Sequence, residues 1–225
     1  MLYHITDIKG CTGIINNHEN SDLEFWVSHY KDMNDNLELI QLFNYENDAN
    51  TMKFSKATCE NYFILSFTET PFLTYNKSHG DYGNIILGVN EAYLENKINF
   101  GKCSYSDDDV SLPTKYDNPI DTLLYSFKDR LLRFYVKKKE WEEEQEWRLV
   151  ENAQEGETIF PPREGKVEGY IKRLFPHEFL QCIYFRENSS PIEIRKVSRI
   201  LNINNFDIPC AILMKNGKII PLTNK

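Results

Sequence analysis

The sequence predicts a single α+β domain spanning residues 1–225. Short apolar runs rich in β-branched and aromatic residues recur along the chain, and between them lie a few segments whose apolar residues repeat at helical spacing. The composition is that of an ordinary globular protein, 41% hydrophobic and 27% charged, with 14 Phe, 13 Tyr and 3 Trp to fill a core. That balance excludes wholesale disorder.

Charge and cysteine usage narrow the class. Asp and Glu number 34 against 26 Lys and Arg, a net charge of −8, so a globally basic nucleic-acid binder is excluded while a local basic patch is not. No apolar run approaches the ~18 residues of a membrane-crossing helix, so no membrane partner is expected. The opening MLYHITDIKG has neither the basic flank nor the apolar stretch of a secretory signal. The cysteines (Cys11, Cys59, Cys103, Cys182 and Cys210) are odd in number and never spaced as C-x-x-C. Reduced thiols in a cytoplasmic protein are the expectation, rather than a disulfide framework or a zinc site.

The elements follow in order. LYHIT reads as a short strand, Asp7 as an N-cap, and IKGCTGII as a helix with Ile8, Cys11, Ile14 and Ile15 on one face. SDLEFWVSHYKDMN alternates around Phe25 and Val27 before turning polar, and NDNLELIQLFNY restarts a helix through Leu37, Ile40 and Phe43. NYFILSFTE is the clearest strand and NIILGV a second, separated by the turn-rich PFLTYNKSHGDYG. Residues 101–119 are acidic and proline-punctuated and read as an exposed connection. DTLLYSFKDRLLRFYV is the strongest helical pattern, with Leu123, Leu124, Phe127, Leu131, Phe134 and Tyr135 on one side. EWRLV, YIKRLF, FLQCIYF and PCAILM read as later strands, and PIEIRKVSRILNINN as a helix opened by Pro191.

Three local features could carry chemistry. His4 and Thr6 share one face of the first strand, opposite Tyr3 and Ile5. Ser66 and Thr68 share a face at the end of the best strand, where hydroxyls also commonly satisfy backbone groups in the next turn. In WEEEQEWRLV, an extended backbone from Glu144 onward puts Glu144, Glu146 and Arg148 on one side, with Trp147 and Leu149 on the other. Carboxylate runs are usually solvated, but a half-buried strand would have to justify Glu146 and Arg148 by an ion pair or a shared ligand. No G-x-G-x-x-G, Walker loop, H-E-x-x-H or G-x-S-x-G occurs. His18, His29, His79 and His177 read as polar or loop residues without metal-ligand spacing, so no metal site is expected. The acidic SDDDV run at 106–110 reads as a solvated loop.

Together these segments resemble an uncharacterised bacterial family, domain-of-unknown-function family twenty-nine seventy-one. The order runs from LYHIT and a helix ending in GII, through FWVSHYKDMNDNLEL and FILSFTE, to GNIILGV, KCSYSDD, WEEEQEWRLV, PCAILM and KIIPL. EQEWRLV is the most specific part. The chain departs from the family at PFLTYNKSHGDYG, where a Trp-x-x-Tyr is missing and Tyr75 or Tyr82 is left to supply the aromatic ring.

The layout is also similar to the ADP-ribosyltransferase superfamily, and this resemblance implies a split antiparallel sheet with flanking helices that grips NAD in a central cleft. Carried over by position, Glu146 would hydrogen-bond a ribose hydroxyl and stabilise oxocarbenium character as the nicotinamide bond breaks. Glu144 would orient the acceptor or act as its base. His4 would hold the other ribose or a phosphate oxygen with Thr6 in support, Ser66 and Thr68 would form the hydroxyl motif, and Tyr75 or Tyr82 would stack on nicotinamide. For Arg148, pairing with a carboxylate is plainer than binding a diphosphate. The implied activity is NAD-dependent transfer of ADP-ribose to a cellular macromolecule, or NAD hydrolysis, as in a toxin or antiphage effector with a neutralising partner protein. The alternative is a non-catalytic nucleotide- or protein-binding module on the same fold. A hydrolase built on residues 142–146 lacks a second acidic constellation. The enzyme reading requires His4, the Ser66/Thr68 strand end and Glu146 to converge on one cleft.

Overall fold

The computed structural model describes residues 1–16, 22–32, 62–72, 83–97, 99–105 and 134–222. Among them, β1 (Leu2–Thr6) runs into α1 (Ile8–Ile15) at Asp7, whose extended backbone and side chain cap the helix by accepting from the Gly10 N–H at 2.7 Å. Cys11, Ile14 and Ile15 are the buried face of α1. β2 (Asp22–His29) alternates strictly, burying Leu23, Phe25, Val27 and His29. β3 (Tyr62–Thr68) and β4 (Ile85–Val89) are buried on both faces along most of their length.

The remaining strands are β5 (Phe100–Lys102), β6 (Ser104–Tyr105), β7 (Val136–Lys137), β8 (Glu146–Asn152), β9 (Tyr170–Pro176), β10 (Leu180–Arg186), β11 (Cys210–Leu213) and β12 (Ile219–Pro221). α2 (Pro191–Ile203) begins at a capping box, with the Ser190 side chain and Glu193 bonded reciprocally to backbone N–H groups.

The large sheet runs β12-β11-β10-β4-β1-β3-β2-β9, with β8 pairing β3 and β5, and it is antiparallel except where β10 meets β11. That parallel pair is joined by α2, because a parallel return needs a crossover connection. The small sheet is β6 with β7. The fold is thus mixed, a large and mostly antiparallel sheet with few helices. No helix among the described residues is long and apolar enough to cross a membrane.

One junction positions everything that follows. β8 pairs β3 along its whole length, whereas the other edge of β3 is shared: β1 takes only Thr68, through Tyr3, and β2 takes only Phe63 and Ile64. Beyond His29 and Ser28, β2 leaves β3 and runs with β9 alone, from Asp22–Pro176 to Ser28–Tyr170. Phe25 then packs edge-on against His4 at 5.5 Å and against Phe175 and Phe179. The principal core lies on this side, where Phe63, Leu65, Phe67, Leu87 and Leu149 meet Cys11, Ile15, Val197 and Leu201 from the two helices. A smaller cluster of Tyr30, Tyr62, Ile64, Phe134 and Val150 covers the opposite face.

Several expectations change. Residues 101–105 belong to β5 and β6 rather than to an exposed connection, because Gly101 and Lys102 continue the ladder against Arg148 and Trp147. Phe134 and Tyr135 form a turn and Val136 enters β7, so the helical pattern of 121–136 does not extend through its last three residues. His29 is buried at 4% exposure rather than polar, packed on Tyr30 and Phe63. The helix expected at NDNLELIQLFNY, most of that at 121–136, the SDDDV run, and Cys59, His18, His79, Tyr75 and Tyr82 lie outside the described residues.

Candidate functional site

Register decides which expected site residues meet. Residues directly opposite on antiparallel strands put their side chains on the same face. Tyr3 lies opposite Thr68, Thr68 opposite Glu146, and Ser66 opposite Arg148. Thr68, Ser66, Glu146 and Arg148 therefore share a face, whereas His4 belongs with Phe67 and Trp147 on the other. Ring contacts agree: His4 packs on Phe25 and Phe67 at the margin of the principal core. Thr6, two residues along, shares the parity of His4. The structure thus brings together the Ser66/Thr68 strand end and Glu146 but leaves His4 and Thr6 across the sheet.

At Glu146 the chain builds a buried ion cluster. Arg148 Nε donates to Glu146 Oε1 at 2.8 Å and Arg148 Nη2 to Oε2 at 3.1 Å. Lys137 Nζ reaches the same Oε2 at 2.7 Å and also pairs with Glu144. Arg148 Nη1 donates to the Phe134 carbonyl at 2.8 Å. Exposure of the four side chains is 0% for Arg148 and no more than 7% for the others. Among the described residues two cations face two carboxylates, so their charges balance one another. Burial pushes the Glu146 carboxyl up, but the charges and hydrogen bonds of Arg148 and Lys137 outweigh it and hold the group at about 2.

Glu144 arrives differently from the extended path expected of it. It ends a 3-10 turn, Lys139–Glu144, and Gln145 takes a left-handed conformation at φ 43°. This reversal restarts the strand at Glu146 while leaving Glu144 within reach of Lys137. Thr68 locks the turn, its Oγ1 donating to the Glu144 carbonyl at 2.6 Å and accepting from the Thr70 N–H at 3.0 Å. Tyr105 accepts the Glu146 N–H at 2.7 Å through its hydroxyl, whose ionisation burial pushes up to about 12. Ser66 Oγ is sealed from solvent and has no hydrogen-bond partner.

His4 has a separate task. The β1–β3 ladder has a single register pair, Tyr3–Thr68. Where it stops, His4 Nδ1 donates to the Ser66 carbonyl at 3.0 Å. Burial lowers the imidazole below its usual range, the hydrogen bond opposes that, and the Arg163 charge adds to it. His4 is thus a neutral ring that completes a strand edge.

Sequence reasoning missed Lys137 and Tyr105. Lys137 sits in a KKKE run whose next three residues are exposed, and nothing local marks it as the buried one. Tyr105 is brought in by the β6–β7 pairing, which joins residues far apart in sequence. Cys11, Cys103, Cys182 and Cys210 are all buried free thiols, with burial pushing Cys11, Cys182 and Cys210 away from thiolate formation. Among the described residues no group of three or more His, Cys, Asp or Glu side chains is arranged to hold a metal ion.

Chemically, both Glu146 oxygens are already engaged by charged donors. A carboxylate in that state stays ionised, gives up no proton, and accepts weakly from a further hydroxyl. The arrangement fixes the 134–146 connection to the second face of the sheet. No family model, no curated protein and no solved structure matches the chain.

Proposed function

We propose that this chain is a non-catalytic binding module for a nucleotide or a partner protein. The observation that carries the reading is the state of Glu146: its carboxylate is held by Arg148 and Lys137 within a buried cluster, while His4 lies on the opposite sheet face. An NAD-cleaving site on these residues would need them to face one cleft with a carboxylate free to take a ribose hydroxyl.

A second reading has one observation in its favour. Thr68 lies directly opposite Glu146 at the meeting ends of β3 and β8, and these are the two residues that the ADP-ribosyltransferase resemblance assigns to the hydroxyl motif and the acid. Under that reading the chain takes NAD as substrate and modifies a macromolecule, with Glu146 swinging out of its ion pairs.

Nicotinamide release from NAD separates the two. The binding-module reading expects none from the folded chain, alone or with cell lysate. Release by the wild type that disappears in a folded Glu146→Gln variant would overturn it.

A further inference from the structure

On the outer face of β2 and β9, Arg163 stands without a carboxylate of its own among the described residues. Glu24, Trp26, Ser28, Tyr170 and Lys172 line this face, half-buried and opposite in parity to the core residues Phe25, Val27 and Ile171; Glu24 is engaged by its neighbours, pairing with Lys172 at 2.9 Å and accepting from Trp26 Nε1 at 3.0 Å. Arg163, from the loop after Pro161 and Pro162, lies over it. Its guanidinium carbon is 5.4 Å from both the Trp26 and Tyr170 ring centroids, and Nη2 donates to Ser28 Oγ at 2.7 Å. The two rings are 5.5 Å apart, and Phe160 stacks on Tyr170 at 5.3 Å to extend the aromatic row.

In this lack of a carboxylate, Arg163 differs from two other shielded arginines. Arg148 is matched to Glu146, and Arg173 to Glu151 and Glu157. Arg163 is half-buried, its charge disfavoured by that burial, yet it forms no ion pair with a carboxylate among the described residues. Asp7 and Asp32 are close enough to act on it through space, but each is committed elsewhere. Asp7 caps α1, and Asp32 takes the Val167 and Glu168 N–H groups at 2.9 and 3.0 Å. Beyond Ser28 Oγ, Arg163 finds no hydrogen-bond acceptor among the described residues. Ring faces compensate a guanidinium in part, and a fork with donors to spare matches the oxygens of a phosphate in bidentate fashion.

We propose that Arg163, set against Trp26 and Tyr170 and oriented by Ser28, grips the phosphate of a small phosphate-bearing ligand. The inference builds on the nucleotide-binding form of the reading above and places the ligand away from the Glu146 cluster. The shared chemistry is the phosphate. A nucleotide would add its base against the aromatic row, and free phosphate or pyrophosphate would not.

The test is calorimetric titration of the full chain with inorganic phosphate, pyrophosphate, AMP and ADP at fixed salt. Saturable one-to-one binding is expected, weakened at least tenfold by Arg163→Gln and to an intermediate extent by Arg163→Lys, which keeps the charge and loses the fork. ADP at least tenfold tighter than pyrophosphate assigns the site to nucleotides, and equal affinities assign it to the phosphate anion alone. Absence of saturable binding by all four probes, or an unchanged affinity in folded Arg163→Gln, overturns the proposal. Inorganic phosphate cannot be turned over, so its titration stands apart from nicotinamide release, and either idea can fail without the other.

Discussion

Replacing Glu146 by Gln tests whether the buried cluster is architecture. The substitution keeps the shape but removes the charge and puts an amide N–H₂ where one oxygen accepted. Arg148, fully buried, then loses its ion pair with Glu146 and keeps the Phe134 carbonyl, while Lys137 retains Glu144. Removing one partner of a buried ion pair costs about 3–5 kcal/mol. An independent route gives a similar figure. A carboxyl whose ordinary value is 4.5 and which the fold holds at about 2 contributes ~3 kcal/mol when ionised, at roughly 1.4 kcal/mol per tenfold change in proton affinity. For a chain of this size each kcal/mol moves Tm by about 2–4 °C, so the melt should fall by roughly 6–20 °C at pH 7.

Scanning calorimetry at pH 7 reads this directly, and the wild type adds a pH signature. A depressed carboxyl stabilises fully above about pH 4.5 and loses that contribution as pH falls toward 2. The acid-side slope should be steep in wild type and shallower in Glu146→Gln. A double-mutant cycle with Arg148→Met should give a coupling above about 1 kcal/mol. A melt lowered by less than ~2 °C, with an unchanged acid slope, would refute the architectural account and return Glu146 to the candidate reactive groups.

Three further outcomes follow from neighbouring geometry. Thr68→Val removes a donor to the Glu144 carbonyl and an acceptor for the Thr70 N–H; urea unfolding should show a loss of about 1–3 kcal/mol, while Thr68→Ser stays within about 1 kcal/mol. His4 is held below its unfolded value, so the unfolded chain binds the proton first and stability declines as pH drops below about 6.5. That part of the slope should vanish in His4→Asn, as read by chemical denaturation between pH 7.5 and 5. Cys11, Cys103, Cys182 and Cys210 are buried thiols, so peptide mapping after alkylation should find them modified in denaturant and protected in the native chain.

Much of the fold was legible because its signals are local. Alternation in DLEFWVSH, the aromatic and β-branched run YFILSFT, the Asp7 cap and the Pro191 helix start each act within a few residues, and each is found in the structure. The short strands β5 to β7 were not legible. Two- and three-residue strands carry too little pattern to show a period, and β6 and β7 exist only because a connection of about thirty residues brings them together.

The candidate site failed to read at a different level. Alternation assigns every side chain to one of two faces of its own strand, but it does not say how the faces of two strands correspond. His4 with Thr6, Ser66 with Thr68, and Glu146 with Arg148 were each correctly paired within their strands. Whether the three pairs look into one space depends on a single parity at each junction. At β3–β8 the parity aligns Thr68 with Glu146, and at β1–β3 it aligns Thr68 with Tyr3, so His4 turns to the core. A one-residue slip of β1 against β3 would reverse that result, and it is resisted by burial. Leu2, at 2% exposure in the principal core, would move to the other face in exchange for Tyr3. The residue that keeps His4 away from Glu146 is therefore an apolar one, and the reason is packing rather than chemistry.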